Sequence, residues 1–181
     1  MAIYMVSDLH VDHKKILEFC STTRKFDSVD DMHHALITNW NAKVGENDTV
    51  YILGDLSFGK VSNLVSILEQ LNGKEKHLII GNHDVEHLRK QKLRDCFTTI
   101  EHYREIKHNG NKICLMHFPL LEWNGSRRGL ASSYHLHGHL HSVNPEVLTC
   151  KRWDVGLDGS PDFAPYELDT LIQTIDSRLK I

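Results

Sequence analysis

Five short apolar runs in this chain each stop abruptly at Asp, Asn or His, and that repeated ending limits the folds open to it. Residues 2–6 run into Ser7-Asp8-Leu9-His10, and residues 49–53 into Gly54-Asp55. Residues 77–80 precede Gly81-Asn82-His83-Asp84, residues 113–116 precede His117, and residues 134–137 precede Gly138-His139-Leu140-His141. Short apolar runs bounded by glycine and polar residues read as buried strands. In an open α/β sheet the loops at the C-terminal ends of the strands converge, and ligands collect there. Clusters far apart in sequence would therefore meet in space.

The segments between the runs carry helix signals. Residues 13–20 place Ile16, Leu17 and Cys20 on one face. Ser28 reads as an N-cap, with Asp31 completing a capping box, for a helix whose apolar positions are Met32, Leu36, Ile37, Trp40 and Val44. Asn47-Asp48 then turns the chain into the second strand. Val61, Leu64, Val65, Leu68 and Leu71 mark another amphipathic helix, stopped at Asn72-Gly73, and residues 86–92 a shorter one. Further on, residues 100–107 and 112–116 flank Asn109-Gly110, a strong hairpin signal. Residues 124–133 form a loop rich in Gly, Ser and Arg; residues 152–157 read as a strand and 166–179 as a closing helix. With no long linker and no internal repeat, the expectation is one domain over residues 1–181. Its fold class is α/β, a layered sandwich of two mixed sheets flanked by helices.

At 181 residues, 40% hydrophobic and 25% charged, the chain can bury a sizeable core. The formal net charge of −3 gives no basic footprint for extended nucleic-acid binding, although bound divalent cations would reverse the sign locally. Cys20, Cys96, Cys114 and Cys150 lie far apart without C-x-x-C spacing and read as reduced, mostly packed thiols, Cys114 in the core. No apolar stretch approaches the ~18 residues of a membrane span. The N-terminus opens into a strand pattern rather than a secretion signal, so the cytoplasm is the expected compartment. The 14 histidines are dispersed rather than gathered in a tag.

Asp8 and His10 point the same way if the strand continues, or flank a tight turn if it ends. Together they suit one borderline metal such as Mn, Fe or Zn. The Asp55 carboxylate could bridge two metals, Asn82 offers a carbonyl oxygen, and His117, His139 and His141 offer ring nitrogens. These donors suffice for two metals only if one of them bridges. Such a pair suits phosphoester hydrolysis: metals ~3.5–4 Å apart clamp the phosphoryl group, and a bridging water loses a proton near neutral pH to become the nucleophile.

The complete ordered set resembles the calcineurin-like metallophosphoesterases, whose pattern is D-x-H, G-D, G-N-H-D/E, a lone His, then G-H-x-H. The resemblance spans residues 8–141 and implies a metallophosphoesterase-like, four-layer αββα fold. It implies that Asp8, His10, Asp55 and His141 hold one metal, and that Asn82, His117, His139 and the bridging Asp55 hold the other. His83 would serve as proton donor or transition-state stabiliser at the leaving group, oriented by Asp84. Small bacterial and phage-type members without cap domains are the most similar in kind. They share the His117-Phe118-Pro119-Leu120 context, Trp123, and the late Asp154-Val155-Gly156-Leu157-Asp158 segment. Val11-Asp12 departs from the small or glycine-containing step of many relatives and places Asp12 at the rim.

The expected cofactors are two divalent ions drawn from Mn, Fe, Ni and Zn, with Mn favoured. The expected partner is a small or accessible phosphomonoester or phosphodiester, a nucleotide among the candidates, with no membrane and an open question of oligomeric state. His13 reads as a helix-start or pocket-rim residue rather than a metal ligand, and as a candidate substrate contact. Arg127 and Arg128, in the loop before the last cluster, are either phosphate contacts or a solvated basic loop; Lys14 and Arg24 are weaker phosphate candidates. His33 and His34 read as solvent-facing or packed, and His77, His87, His102 and His108 as uninvolved in metal. His135 and His137 read as hydrogen-bonded core residues. Two other functions fit the same residues, a nuclease and a non-catalytic metal-binding scaffold. The full ligand set and His83 favour the catalyst.

Overall fold

The first sheet explains why its strands read as nearly unbroken apolar runs. Both of its faces are covered, so alternate side chains enter two different cores. In the computed structural model, which describes residues 1–127 and 133–179, β1 (Ile3–Val6), β2 (Thr49–Ile52), β3 (Glu75–Ile79) and β4 (Thr99–Glu101) run parallel. A two-residue strand, β9 (Tyr166–Glu167), lies antiparallel on the free edge of β1 and completes the order β4-β3-β2-β1-β9. Val6 sits opposite Ile52, and Ile52 opposite Leu78. The three strands therefore end at one level, and the polar clusters after them emerge side by side.

The second sheet has the order β5-β6-β7-β8, from β5 (Tyr103–His108), β6 (Asn111–Met116), β7 (Ser133–His137) and β8 (Arg152–Asp154). The predicted hairpin joins β5 and β6, with Asn109 at φ 48° and Gly110 at φ 79°, the paired positive angles of a two-residue hairpin turn. Strands β6, β7 and β8 are parallel, so their ends also share one edge. Ser7 is paired with Gly156 by an isolated bridge, and Ser7 N–H donates to Val155 O at 3.0 Å. That stitch joins the two sheets beside the clusters.

Helices α2 (Val29–Lys43) and α3 (Val61–Gln70) cover the first sheet, packing Leu36, Trp40, Leu64 and Leu68 on Val6, Ile52 and Leu78. The Ser28 hydroxyl accepts the Asp31 N–H at 3.1 Å and donates to the Asp31 carboxylate, closing the expected cap. Between the sheets, Met5, Tyr51, Leu53 and Ile79 meet Ile113, Leu115, Tyr134, Leu136 and Trp153. Helix α5 (Leu168–Arg178) closes that core with Leu168, Leu171 and Ile175. The fold is thus two mixed sheets with flanking helices.

Four elements depart from the sequence reading. The helix expected at residues 13–20 is one turn, α1 (Ile16–Phe19), with only Ile16 buried. The helix expected at 86–92 is a 3-10 turn (His87–Arg89) followed by the short α4 (Gln91–Arg94). Ile100 belongs to β4 rather than the hairpin, and Tyr166 and Glu167 pair with β1 before α5 begins. The first sheet is the common cause of the last two, because its edges take up backbone that would otherwise lack partners. No helix among the described residues is long and apolar enough to cross a membrane.

Candidate metal centre

The strand ends converge through an unusual backbone. Asp8, His10, Asp55, His139 and His141 all take positive φ, between 50° and 74°. Side chains rarely adopt this left-handed region, although Asp and His tolerate it better than most. Asp8 and His10 therefore flank tight turns rather than extending β1. Each reversal turns a side chain back over the sheet edge, and backbone bonds fix it: Asp8 N–H donates to Gly54 O at 3.0 Å and His10 N–H to Asp55 O at 3.1 Å. Gly138 allows the last loop to close in. A Cβ there would lie 1.9 Å from Ser7 Oγ and 2.4 Å from Asp8 Oδ2.

Two groups of donors result. Asp8, His10 and His141 form one, and Asp55, His117 and His139 the other, with the ligand atoms of each group within 4.8 Å of one another. In the first group His10 Nε2 and His141 Nε2 are 3.1 Å apart, and Asp8 Oδ1 is 3.8 and 3.7 Å from them. In the second, His117 Nε2 is 3.0 Å from Asn82 Oδ1 and 3.5 Å from Asp55 Oδ2. That same Asp55 oxygen lies 3.9 Å from His10 Nε2 and 3.9 Å from His83 Nε2. Asp55 thus stands between the groups, and His83 faces it from the more open side.

The hydrogen bonds behind the donors fix their tautomers. His117 Nδ1 donates to Leu53 O at 2.7 Å, so Nε2 is the nitrogen turned towards the centre. His141 Nδ1 donates to Asp158 Oδ2 at 2.8 Å with the same consequence. Asp158 also accepts from Thr23 Oγ1 at 2.7 Å and from Arg24 Nε and Nη2 at 3.0 and 2.8 Å. Arg24, buried at 1% exposure, donates in addition to Asp8 O at 2.6 Å. It is therefore a scaffold cation and does not reach a phosphate, contrary to the sequence reading. Asp84 also differs from its expected role. Its carboxylate accepts from the N–H groups of Asp55, Leu56 and Gly81 at 3.0, 2.8 and 2.7 Å, and makes no hydrogen bond to the His83 ring. Asp84 ties the loops after β2 and β3 together.

Electrostatics concentrates negative charge on the donors. Burial opposes ionisation of Asp8, but His10, His141 and His117 outweigh it and hold the carboxyl below its ordinary range. Burial likewise opposes ionisation of Asp55, and His117 chiefly overcomes it, bringing the group down to about 2. His117 is pushed up to about 8, because Asp55 and Asp8 more than offset its burial. The two carboxylates draw positive charge to this centre, and the raised His117 supplies part of it. The buried Asp8 Oδ1 has no hydrogen-bond partner, and His10 Nε2 and His141 Nε2 lie beside it, 3.1 Å from each other. A buried carboxylate oxygen without a partner beside crowded ring nitrogens fits a metal ion, and the Asp, Asn and His donor set suits a borderline divalent one.

A cavity of about 520 Å³ opens over the centre, lined by His10, His13, Phe58, Asn82, His83 and His139 among others. His13 is on its rim, and its ring stacks on Phe58 with centroids 3.8 Å apart. Arg127 is exposed, ion-paired with Glu122, and absent from the lining. Arg128 lies outside the described residues. His33 is buried and its Nε2 accepts the Asp12 N–H at 3.0 Å, while the Asp12 carboxylate accepts from Asn63 Nδ2 at 2.7 Å. His135 and His137 are core residues hydrogen-bonded to the backbone. The sequence alone does not mark Asp158 or Phe58 as site residues: Asp158 lies in the late 154–158 segment without a cluster of its own, and Phe58, three residues past Asp55, carries no periodic signal.

A family model described as calcineurin-like phosphoesterase matches residues 1–169. The uncharacterized protein MJ1445 of Methanocaldococcus jannaschii is 32% identical over 180 residues, covering 96% of this chain and 91% of that one. Among solved structures, AQ665 from Aquifex aeolicus, a protein of unknown function, superposes with a TM-score of 0.72 at 24% identity, covering 95% of this chain and 98% of that one. An archaeal phosphodiesterase superposes with a TM-score of 0.52 at 22% identity, over 86% and 82% of the two chains.

Proposed function

The chain belongs to the calcineurin-like phosphoesterase family, and from that membership we propose that it hydrolyses a phosphomonoester or phosphodiester with two divalent ions. The observation that carries the proposal is the position of Asp55. One carboxylate oxygen lies 3.5 Å from His117 Nε2 and 3.9 Å from His10 Nε2, between two groups of donors. Asp8, His10, His141 and Asp55 would hold one ion, and Asn82, His117, His139 and Asp55 the other. Two such ions would neutralise the phosphoryl oxygens and make water a competent nucleophile near neutral pH. Manganese is the favoured identity, since the mixed oxygen and nitrogen donors do not single out a softer metal.

The remaining work falls to the chain. His83 projects into the cavity, where its ring can meet the leaving-group oxygen and supply a proton. Its backbone N–H donates to Asp55 Oδ1 at 3.0 Å, which ties the loop that carries the acid to the shared carboxylate. The test is hydrolysis of aryl phosphate mono- and diesters with Mn or Ni added. Wild type is expected to turn over at least one class. Asp55→Ala is expected to lose activity in every metal, and His83→Ala to lose about 10²–10⁴-fold in rate while still binding metal. Wild type indistinguishable from Asp55→Ala would sink the proposal.

A further inference from the structure

We infer that Phe58, backed by His13, is a stacking platform for a planar ring on the leaving-group side of the substrate, which makes the substrate a nucleotide. The inference rests on the phosphoester reading above and adds the chemical class of the leaving group. Phe58 is 41% exposed although it follows a run of fully buried residues. Its ring is held by neighbours that matter: His13 at 3.8 Å and 18°, His83 at 4.4 Å, and His10 at 5.3 Å and 26°. The backbone beneath it is rigid. Val11 and Ser57 form a bridge, Ser57 Oγ donates to Val11 O at 3.0 Å, and Phe58 N–H donates to the same oxygen at 2.9 Å. A half-exposed aromatic ring fixed in this way is pre-organised to stack and loses little freedom on binding.

The direction follows from His83. The group that would protonate the leaving oxygen is in ring contact with Phe58, so the part of the substrate that departs passes over that ring. Phe19, 70% exposed and edge-on to His13 at 6.2 Å, continues the apolar wall outward. Among the described residues the cavity lining includes no lysine or arginine. A leaving group with a second phosphate would find no lysine or arginine in that lining among the described residues, whereas a neutral flat ring would find the exposed part of Phe58. Nucleobases meet that description, and they stack on aromatic side chains whatever their sequence.

The experiment is calorimetric titration of the Mn-supplemented protein with non-hydrolysable phosphonate analogues of adenosine 5′-phosphate and ribose 5-phosphate. The adenosine analogue is expected to bind about tenfold more tightly. Phe58→Ala and Phe58→Leu are expected to collapse that ratio to about two or less, and Phe58→Trp to keep it. Phe118→Ala, at an exposed aromatic outside the cavity lining, is expected to keep it as well. A ratio near one in wild type, no binding of either analogue, or a ratio untouched by Phe58→Ala would overturn the inference. Phenyl phosphonate binding as tightly as the adenosine analogue would also overturn it, by making the ligand a simple aryl ester. Hydrolysis of aryl phosphates with a flat ratio would remove the platform and spare the phosphoesterase. A steep ratio without hydrolysis in any metal would do the reverse.

Discussion

At the scale of single residues, strain and chemistry coincide. Five of the seven proposed ligands hold positive φ, and a left-handed L-residue costs roughly 1–2 kcal/mol relative to a relaxed one. Such conformations persist where the surrounding structure over-determines them, as the bonds from Asp8 and His10 to the loop after β2 do. His139 allows a clean test, since its φ is 74° and its ring is on the open side of the centre. His139→Gly is expected to be more stable than His139→Ala by about 1 kcal/mol in urea unfolding, because only glycine relaxes at that angle. Both should bind metal more weakly than wild type. Equal stabilities would mean that the loop carries no strain at this position.

At the scale of elements, Asp158 joins three segments that are distant in sequence. Through it the turn after β8 meets His141 beyond β7 and the Thr23-Arg24 turn between α1 and α2. Burial opposes its ionisation, yet His141, Arg24 and Thr23 hold the carboxyl far below the ordinary range. Removing one partner of a buried pair leaves the other charge stranded. Asp158→Asn is therefore expected to cost about 3–5 kcal/mol in chemical denaturation. Adding Arg24→Met should recover much of the loss. Metal affinity should fall about 10–100-fold in Asp158→Asn and stay low in the double variant, because His141 has lost its anchor in both. Recovery of metal binding along with stability would show that Asp158 supports the fold and does not orient His141.

At the scale of the whole molecule, the two sheets bring buried imidazoles as well as strand ends. Burial depresses the pKa of His135, with Arg152 adding to the shift, and burial likewise depresses His77 and His33. Depressed imidazoles stabilise the fold above their unfolded value of about 6.5, and that stability is lost as the pH falls towards the folded value. The urea midpoint is expected to drop between pH 7.5 and 5.5. The drop should be shallower in His135→Gln, which removes a titrating ring from between Cys114 O and Leu120 N. An unchanged slope in the variant would place the acid sensitivity elsewhere.

The sequence by itself determined the order of the five apolar runs and their clusters along the chain, the capping of α2, the hairpin at Asn109-Gly110, and which donors could meet. These depend on short-range chemistry: side-chain period, turn residues, and polar groups placed where an apolar run ends. Only the tertiary structure decided that Asp84 fastens loops rather than the His83 ring, and that Arg24 is a buried partner of Asp158 rather than a phosphate contact. It also decided that Phe58 stands half in the cavity. A carboxylate or guanidinium has the same local pattern whether it meets a substrate or a residue more than a hundred positions away. Burial and direction separate the two, and both are set by how the two sheets pack.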